Sequence, residues 1–466
     1  MRVIFLLKER RNCMDIHLDR LVEQVENRKQ ELIDLVSTLI KFKTPAPPAR
    51  NTREIQQFIA NYLKELHFGI DMWDVYPNDP NLVGVKKGVQ SDLYNSLILN
   101  GHVDVAEIRE DENLLTHPFD PVVTDGKIIG RGAADMKGGL AGALFAIQLL
   151  SEAGVDLKGD LIFQSVIGEE VGEAGTLQCC ERGYTADFAL VVDTSDLHIQ
   201  GQGGVITGWI IVKSPETFHD ATRRNMIHAG GGLLAASAIE KMMKMIEGLR
   251  ELEQYWAITK QYEGFPPGSN TINPAVIEGG RHPAFIADEC KLWITVHYYP
   301  NERYEDVTRE IEEYLLAIAH ADPWLKQHPP TFTWGGSSMI EDKGEIFPSL
   351  EINPEHLGVQ TLQMTHETIH QKQAVIDVSP SVTDGGWFGQ AGIPAAIYGP
   401  GDFSHAHAVN EACSIEQLVQ FTQTMIRFIY QWTNTRKIRK AQAPVQLRTN
   451  WRTSDEIKET RRTPKC

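Results

Sequence analysis

The segment SLILNGHVDV (residues 96–105) decides the fold. It is a short apolar run that breaks into polar residues at its end, as a buried parallel strand does at its carboxyl terminus. Downstream, GRGAADMKGG (130–139) leads into LAGALFAIQLLSEAG, an apolar helix closed by Gly154. LIFQSVIGEE (161–170) reads as the next strand and, after another helix-length stretch, FALVVDTSD (188–196) as a third. Upstream, residues 19–42 and 53–67 place apolar residues at helical spacing. Strands alternating with helices predict an α/β domain, its mostly parallel sheet covered by helices on both faces. Ligands of such sheets sit beyond the carboxyl ends of the strands.

Around Gly201 the texture changes. GGVITGWIIVK (203–213) alternates and is β-branched, a helix follows at 232–253, then strand-like NPAVIEGG (273–280) and ECKLWITVHYY (289–299), then a helix at 303–320. This β-α-β-β-α order predicts an inserted α+β domain over 203–322, interrupting a domain made of 19–202 and 323–435. Residues 1–18 read as an extension. From Arg436 onward ten Lys/Arg face three acids without apolar periodicity, so 436–466 are expected to be a disordered basic tail.

With 466 residues the chain can build two hydrophobic cores. A formal charge of −17 argues against nucleic acid or an anionic membrane as partner. Six cysteines point to a reduced compartment rather than a disulfide framework. The opening MRVIFLLKERR holds only five consecutive apolar residues, too few for a signal core or a membrane span. A cytoplasmic location is therefore expected.

The ionisable residues fall where a site would be. Successive strand ends carry His102 and Asp104, then Glu169 and Glu170, then Asp193, with Asp135 in the turn after the first. Gathered at one sheet edge, these carboxylates would repel one another unless a pair of divalent metals cancels their charge. A mixed imidazole and carboxylate shell suits zinc, with manganese or cobalt possible. His102 and Asp104 are two apart and face one way, so Asp104 can accept the other ring N–H of a metal-bound His102. Asp135 reads either as a helix N-cap or as a carboxylate able to bridge two metals. Of the adjacent glutamates, one can bind a metal while the other stays free as general base. GPGDFSHAHAVNE (399–411) offers His405 and His407. The glycine-rich turn lacks the dinucleotide and nucleotide fingerprints, which disfavours a nucleotide-binding oxidoreductase.

The motifs NGHVDV, GRGAADMKGG, GEEVGEAGT, the VVD strand end and GPGDFSHAH resemble those of the two-metal amidohydrolases and peptidases that include acetylornithine deacetylase, succinyl-diaminopimelate desuccinylase and aminoacylase. The likeness covers about residues 20 to 435. It implies that His102 and Asp193 hold one metal, Glu170 and His407 the other, and that Asp135 bridges them. Glu169 would be the base and Asp104 the orienting carboxylate, with a cis peptide after Asp135. The insert would be a lid that also forms a homodimer and sends a histidine, His228 or alternatively His219, to the partner's oxyanion.

The resemblance also has departures. Where relatives that act on N-acyl amino acids carry an arginine for the substrate carboxylate, this chain has His297, and a lid asparagine is replaced by Ala284. A neutral imidazole cannot replace the guanidinium fork. Segments such as TPAPPARNT, YPNDPN, TFHDATRR and SVTDGGWF resemble a branch that deformylates a flat aminopyrimidine, a substrate without a carboxylate. Trp387, Phe388, Trp293 or Tyr298 could stack on such a ring, and Asn273 and Asp384 are further substrate-contact candidates. The competing readings are an N-acyl amino acid hydrolase or dipeptidase, and a catalytically silent metal-binding scaffold.

Overall fold

The computed structural model describes residues 13–109, 114–173, 175–221 and 235–438. Numbering the strands of the two main sheets in chain order, β1 (Gly69–Tyr76), β2 (Asp79–Lys86), β3 (Leu97–His102), β4 (Leu161–Val166), β5 (Phe188–Val191) and β6 (Ile199–Gln202) open the first sheet. The second holds β7 (Gly204–Lys213), β8 (Thr271–Gly279), β9 (Glu289–Tyr298), β10 (Thr331–Trp334) and β11 (Ile346–Phe347). β12 (Ile376–Ser379) and β13 (Ala395–Ile397) return to the first.

The first sheet runs β12-β6-β13-β5-β3-β4-β2-β1. Its centre is parallel, from β13 through β5 and β3 to β4, as the unbroken apolar runs predict. β2 and β1 add antiparallel strands at one edge, so the sheet is mixed. One face is covered by α1 (Cys13–Asn27), α2 (Lys29–Lys41), α3 (Arg53–Glu65), α4 (Lys137–Glu152) and a C-terminal helix, Ile415–Thr433. α4 is apolar all round because it lies in the middle of that layer, between α2 and the C-terminal helix. Leu140, Leu144, Phe421 and Phe428 are fully buried there, each contributing on the order of 1.5–3 kcal/mol by burial.

The second sheet runs β8-β9-β7-β10, with β11 also on β7. The helices Ala238–Thr259 and Tyr304–Ala321 pack on it through Met242, Met245, Leu249, Ile311 and Leu315. The expected β-α-β-β-α order is present, but its closing boundary at 322 is too early. β10 and β11 pair antiparallel with β7, so the lid sheet continues to Phe347. Two short strands whose partner lies more than a hundred residues upstream leave no local signal.

The proposed extension is also shorter than 1–18. α1 starts at Cys13, Leu18 and Leu21 are buried, and Asp19 pairs with Arg427 of the C-terminal helix. At the other end, Lys437 donates its N–H to the Leu93 carbonyl and pairs with Asp187; residues 439–466 lie outside the described residues. No helix among the described residues is long and apolar enough to cross a membrane.

Candidate active site

The strand register assembles the site. β3 pairs in parallel with β4, His102 opposite Val166, and with β5, Asn100 opposite Val191. The ends of the three strands therefore deliver His102, the turn Gly168-Glu169-Glu170 and Asp193 to one edge. Asp135 arrives from the glycine-rich turn, which is a device for close approach. A side chain at Gly139 would lie 1.8 Å from the Val192 carbonyl oxygen, so only glycine lets the start of α4 meet the strand that ends in Asp193. Glu411 fixes that turn from the far side. Its buried carboxylate accepts the N–H groups of Gly132 at 3.0 Å, Ala134 at 2.8 Å and Asp135 at 2.9 Å, and pairs with Arg131 at 2.9 Å.

Asp135 stands in the middle, and the bond after it is cis. One carboxylate oxygen lies 3.2 Å from His102 Nε2 and the other 3.3 Å from His407 Nε2. His407 Nε2 is also 2.8 Å from Glu170 Oε2, while His102 Nε2 faces Glu169 Oε2 at 3.8 Å and Asp193 Oδ2 at 3.9 Å. His405 instead approaches Lys127, at 3.5 Å. Asp104 has a different place from the one its spacing suggests. His102 Nδ1 is 3.0 Å from the Asp104 backbone carbonyl and 3.7 Å from its carboxylate. That carboxylate accepts the N–H groups of Gly168 at 2.9 Å and Glu170 at 3.0 Å, so it anchors the turn carrying both glutamates.

Electrostatically this is a site under strain. Burial, with Asp135 beside them, pushes Glu170 up to about 7 and Asp193 up to about 8. Burial and the neighbouring carboxylates raise Glu169 well above its ordinary range. Burial alone would lower His102, but Asp135, Glu169 and Asp104 push it well up, and Asp135 and Glu170 raise His407 to about 11. The raised values mark the positions where bound cations would neutralise the charge. His102, Asp135 and Glu170 each offer an atom within 4.8 Å of the others, and Glu170 Oε1 is buried without a hydrogen-bond partner. Crowded carboxylates, two imidazoles and an orphaned oxygen fit divalent metal binding.

A cavity of about 190 Å³ opens over Asp135, Glu169, Glu170, Asp193 and His407. It shares Ser379, Ser381 and Val382 with a neighbouring cavity of about 370 Å³ that His297 lines. Burial lowers the His297 imidazole, which keeps it neutral. Of the four aromatic candidates, Trp387, Phe388 and Trp293 lie outside both cavities, while Tyr298 lines the neighbouring one. Phe388 and Trp387 are core residues of a short helix, Gly385–Gln390. Trp293 packs on Trp209, and Tyr298 is buried with its hydroxyl donating to the Phe347 carbonyl. Phe347 and Phe403 line the metal cavity instead. Asn273 is exposed on the edge strand β8, outside both cavities. Asp384 is buried behind the site, near Thr176, with burial raising it to about 7. His219 lies on the lid surface against Asp220; His228 lies outside the described residues.

Two contributors escaped sequence reasoning. Glu411 closes the GPGDFSHAHAVNE motif, and its signal is an acid placed directly before a short strand, Ala412–Ser414. Glu345, in the hydrophilic stretch EDKGEIF, carries no signal at all, yet it lines the metal cavity.

The model of the peptidase family M20/M25/M40 matches residues 98–431. An N-formyl-4-amino-5-aminomethyl-2-methylpyrimidine deformylase of Bacillus subtilis is 63% identical over 424 residues, covering 91% of this chain and all of that protein. The protein of the same name from Halalkalibacterium halodurans is 61% identical, over 90% of this chain and 98% of its own. Among solved structures, an M20 family metallo-carboxypeptidase of Sulfolobus solfataricus superposes with a TM-score of 0.66 at 15% identity, over 86% of this chain and 99% of that one. With its strand-end histidine and carboxylates in place and that match spanning most of the sequence, the chain belongs to the peptidase family M20/M25/M40.

Proposed function

We propose that this protein hydrolyses the formamide of N-formyl-4-amino-5-aminomethyl-2-methylpyrimidine to the free amine and formate, in the cytoplasm and in thiamine salvage. The observation that carries the reaction is Asp135, whose two oxygens each face one imidazole while Glu169 looks into the same cavity. The substrate rests on 63% identity over a relative's whole length and on a histidine at 297 in place of a carboxylate-binding arginine.

In this reading His102 and Asp193 would hold one metal, Glu170 and His407 the second, and Asp135 would serve both. When bound, two divalent ions, Zn²⁺ with Co²⁺ or Mn²⁺ as substitutes, supply Lewis-acid polarisation of the amide carbonyl and acidify the attacking water. Glu169 takes the proton from that water and returns it to the leaving nitrogen as the C–N bond breaks. Asp104 holds the glutamate turn still through its two backbone contacts. A lid histidine, His228 or alternatively His219, donates to the oxyanion.

A homodimer through the lid is part of the proposal. β8 is an edge strand that carries exposed Val276 and Ile277, and the helix Ala238–Thr259 in contact with it exposes Ile239 and Met243.

The test is release of formate equimolar with the aminopyrimidine, lost on chelation and restored by zinc. Formate release that is insensitive to chelation would overturn the reading. N-acyl amino acid hydrolysis is the second reading, and among the described residues no lysine or arginine lines either cavity to hold its carboxylate.

A further inference from the structure

Glu345 enters the metal cavity from the lid, on the loop between β10 and β11. Its backbone is pinned to β7 on both sides: its N–H donates to Thr207 Oγ1 at 2.9 Å, and its carbonyl accepts the Thr207 N–H at 3.2 Å. The side chain lies against Gly172, two residues after Glu170. A Cβ built on Gly172 would come within 2.6 Å of the Glu345 Cβ and 3.3 Å of its Oε2. The backbone of Gly172 has φ +66°, so glycine there both permits the turn and leaves room for Glu345.

Among the described residues no hydrogen bond or ion pair reaches the Glu345 carboxylate, and burial alone accounts for its raised pKa. A half-buried carboxyl with no partner among the described residues is costly in the free protein. Every other acid that lines this cavity is in the cluster around Asp135. Glu345 stands apart from that cluster, on the opposite domain, two residues before Phe347, whose ring also lines the cavity. Among the described residues neither this cavity nor the adjoining one is lined by a lysine or arginine. Among the described residues the lid therefore meets the substrate with a carboxyl group and a phenylalanine, and with no cationic side chain.

We infer that Glu345 is the specificity-determining residue that accepts the exocyclic amino group of the aminopyrimidine ring while the formamide lies over Asp135. This rests on the deformylase reading above. An aminopyrimidine carries an N–H donor pair beside a ring nitrogen, and a carboxyl placed by a rigid backbone matches that edge. A site built to take such a donor discriminates strongly against an analogue lacking it, because the acceptor is then left buried and unpaired.

The experiment uses the zinc-loaded full chain and two substrates: the formyl-aminopyrimidine, and its analogue with hydrogen in place of the 4-amino group. The readout is the ratio of their kcat/KM values. The wild-type ratio is expected to favour the amino substrate by roughly 10–100-fold, carried mainly by KM. Glu345→Ala should bring the ratio to about threefold or less, and Glu345→Gln, which keeps one acceptor oxygen, should retain part of it. If Glu345→Ala does not fold, the reduced ratio in Glu345→Gln carries the test. A wild-type ratio near one, or ratios unchanged in the variants while both substrates slow together, overturns the inference and leaves the deformylase reading standing. No formate from the wild type, with acetylornithine or a dipeptide cleaved instead, overturns both.

Discussion

The two walls of the active-site cleft are built on opposite principles. The catalytic wall is made of strand ends, where three parallel strands in fixed register bring His102, the Glu169-Glu170 turn and Asp193 together. Its side chains are ionisable and mostly buried or half-buried, and two carboxylates hold the backbone behind them: Asp104 under the glutamate turn, Glu411 under the turn of Asp135. The lid wall is made of loops and sheet faces, with a neutral His297, the unpartnered Glu345 and the ring of Phe347. In the proposed function the first wall carries the chemistry on the bond and the lid wall the choice of the molecule that presents it. This is why family likeness identifies the reaction readily, while the substrate turns on a few lid residues.

The sharpest way to break this division is to remove the base. Glu169→Ala should lower kcat by about 10³-fold or more while bound zinc, measured by elemental analysis, stays the same. Activity within tenfold of wild type would remove Glu169 from that role. A smaller loss is expected behind the wall: Asp104→Ala should cost about 10–100-fold in activity or metal affinity, because the Gly168 and Glu170 N–H groups lose their acceptor.

Metal removal probes the electrostatics of the same wall. Glu170 at about 7 and Asp193 at about 8 lie above their unfolded values, as do His102 and His407. Groups raised in this way contribute stability at low pH that is lost as pH rises through the folded pKa. The metal-free protein should therefore melt at progressively lower temperature between about pH 5 and pH 8. Zinc should flatten that slope, since binding displaces the protons. A metal-free melting temperature that rises over this range would contradict the charge account.

Where the walls touch, Gly172→Ala should destabilise the protein by about 1–3 kcal/mol in chemical denaturation, through its left-handed backbone and its contact with Glu345. On the lid itself, His297→Arg should change turnover of the formyl-aminopyrimidine by no more than about threefold. The guanidinium has no carboxylate to hold in that substrate. A large gain would sink the explanation of the missing arginine.

The two walls also differ in how far the sequence reveals them. Strand ends are local: an apolar run that stops at His102 or Glu169 announces both the strand and the group at its tip. The lid is non-local. β10 and β11 are short and pair with β7 across a long stretch of chain, so the lid's true end at Phe347 was invisible, as was Glu345 in a stretch that reads as solvated loop. Aromatic residues failed for a related reason. Whether Phe388 faces the core or Phe403 the cavity is decided by packing of distant elements, and composition cannot tell them apart. Asp104 shows the limit even for a strand end, since the spacing gave its direction but not the backbone N–H groups that it binds.

The most direct test of the central claim sets the substrates against one another on the zinc-loaded protein. kcat/KM would be measured for the formyl-aminopyrimidine, for N-acetylornithine and for a dipeptide. The account predicts that the formamide, which has no carboxylate, is preferred by a wide margin, about 10³-fold or more. Equal or better turnover of either carboxylate-bearing substrate would contradict it.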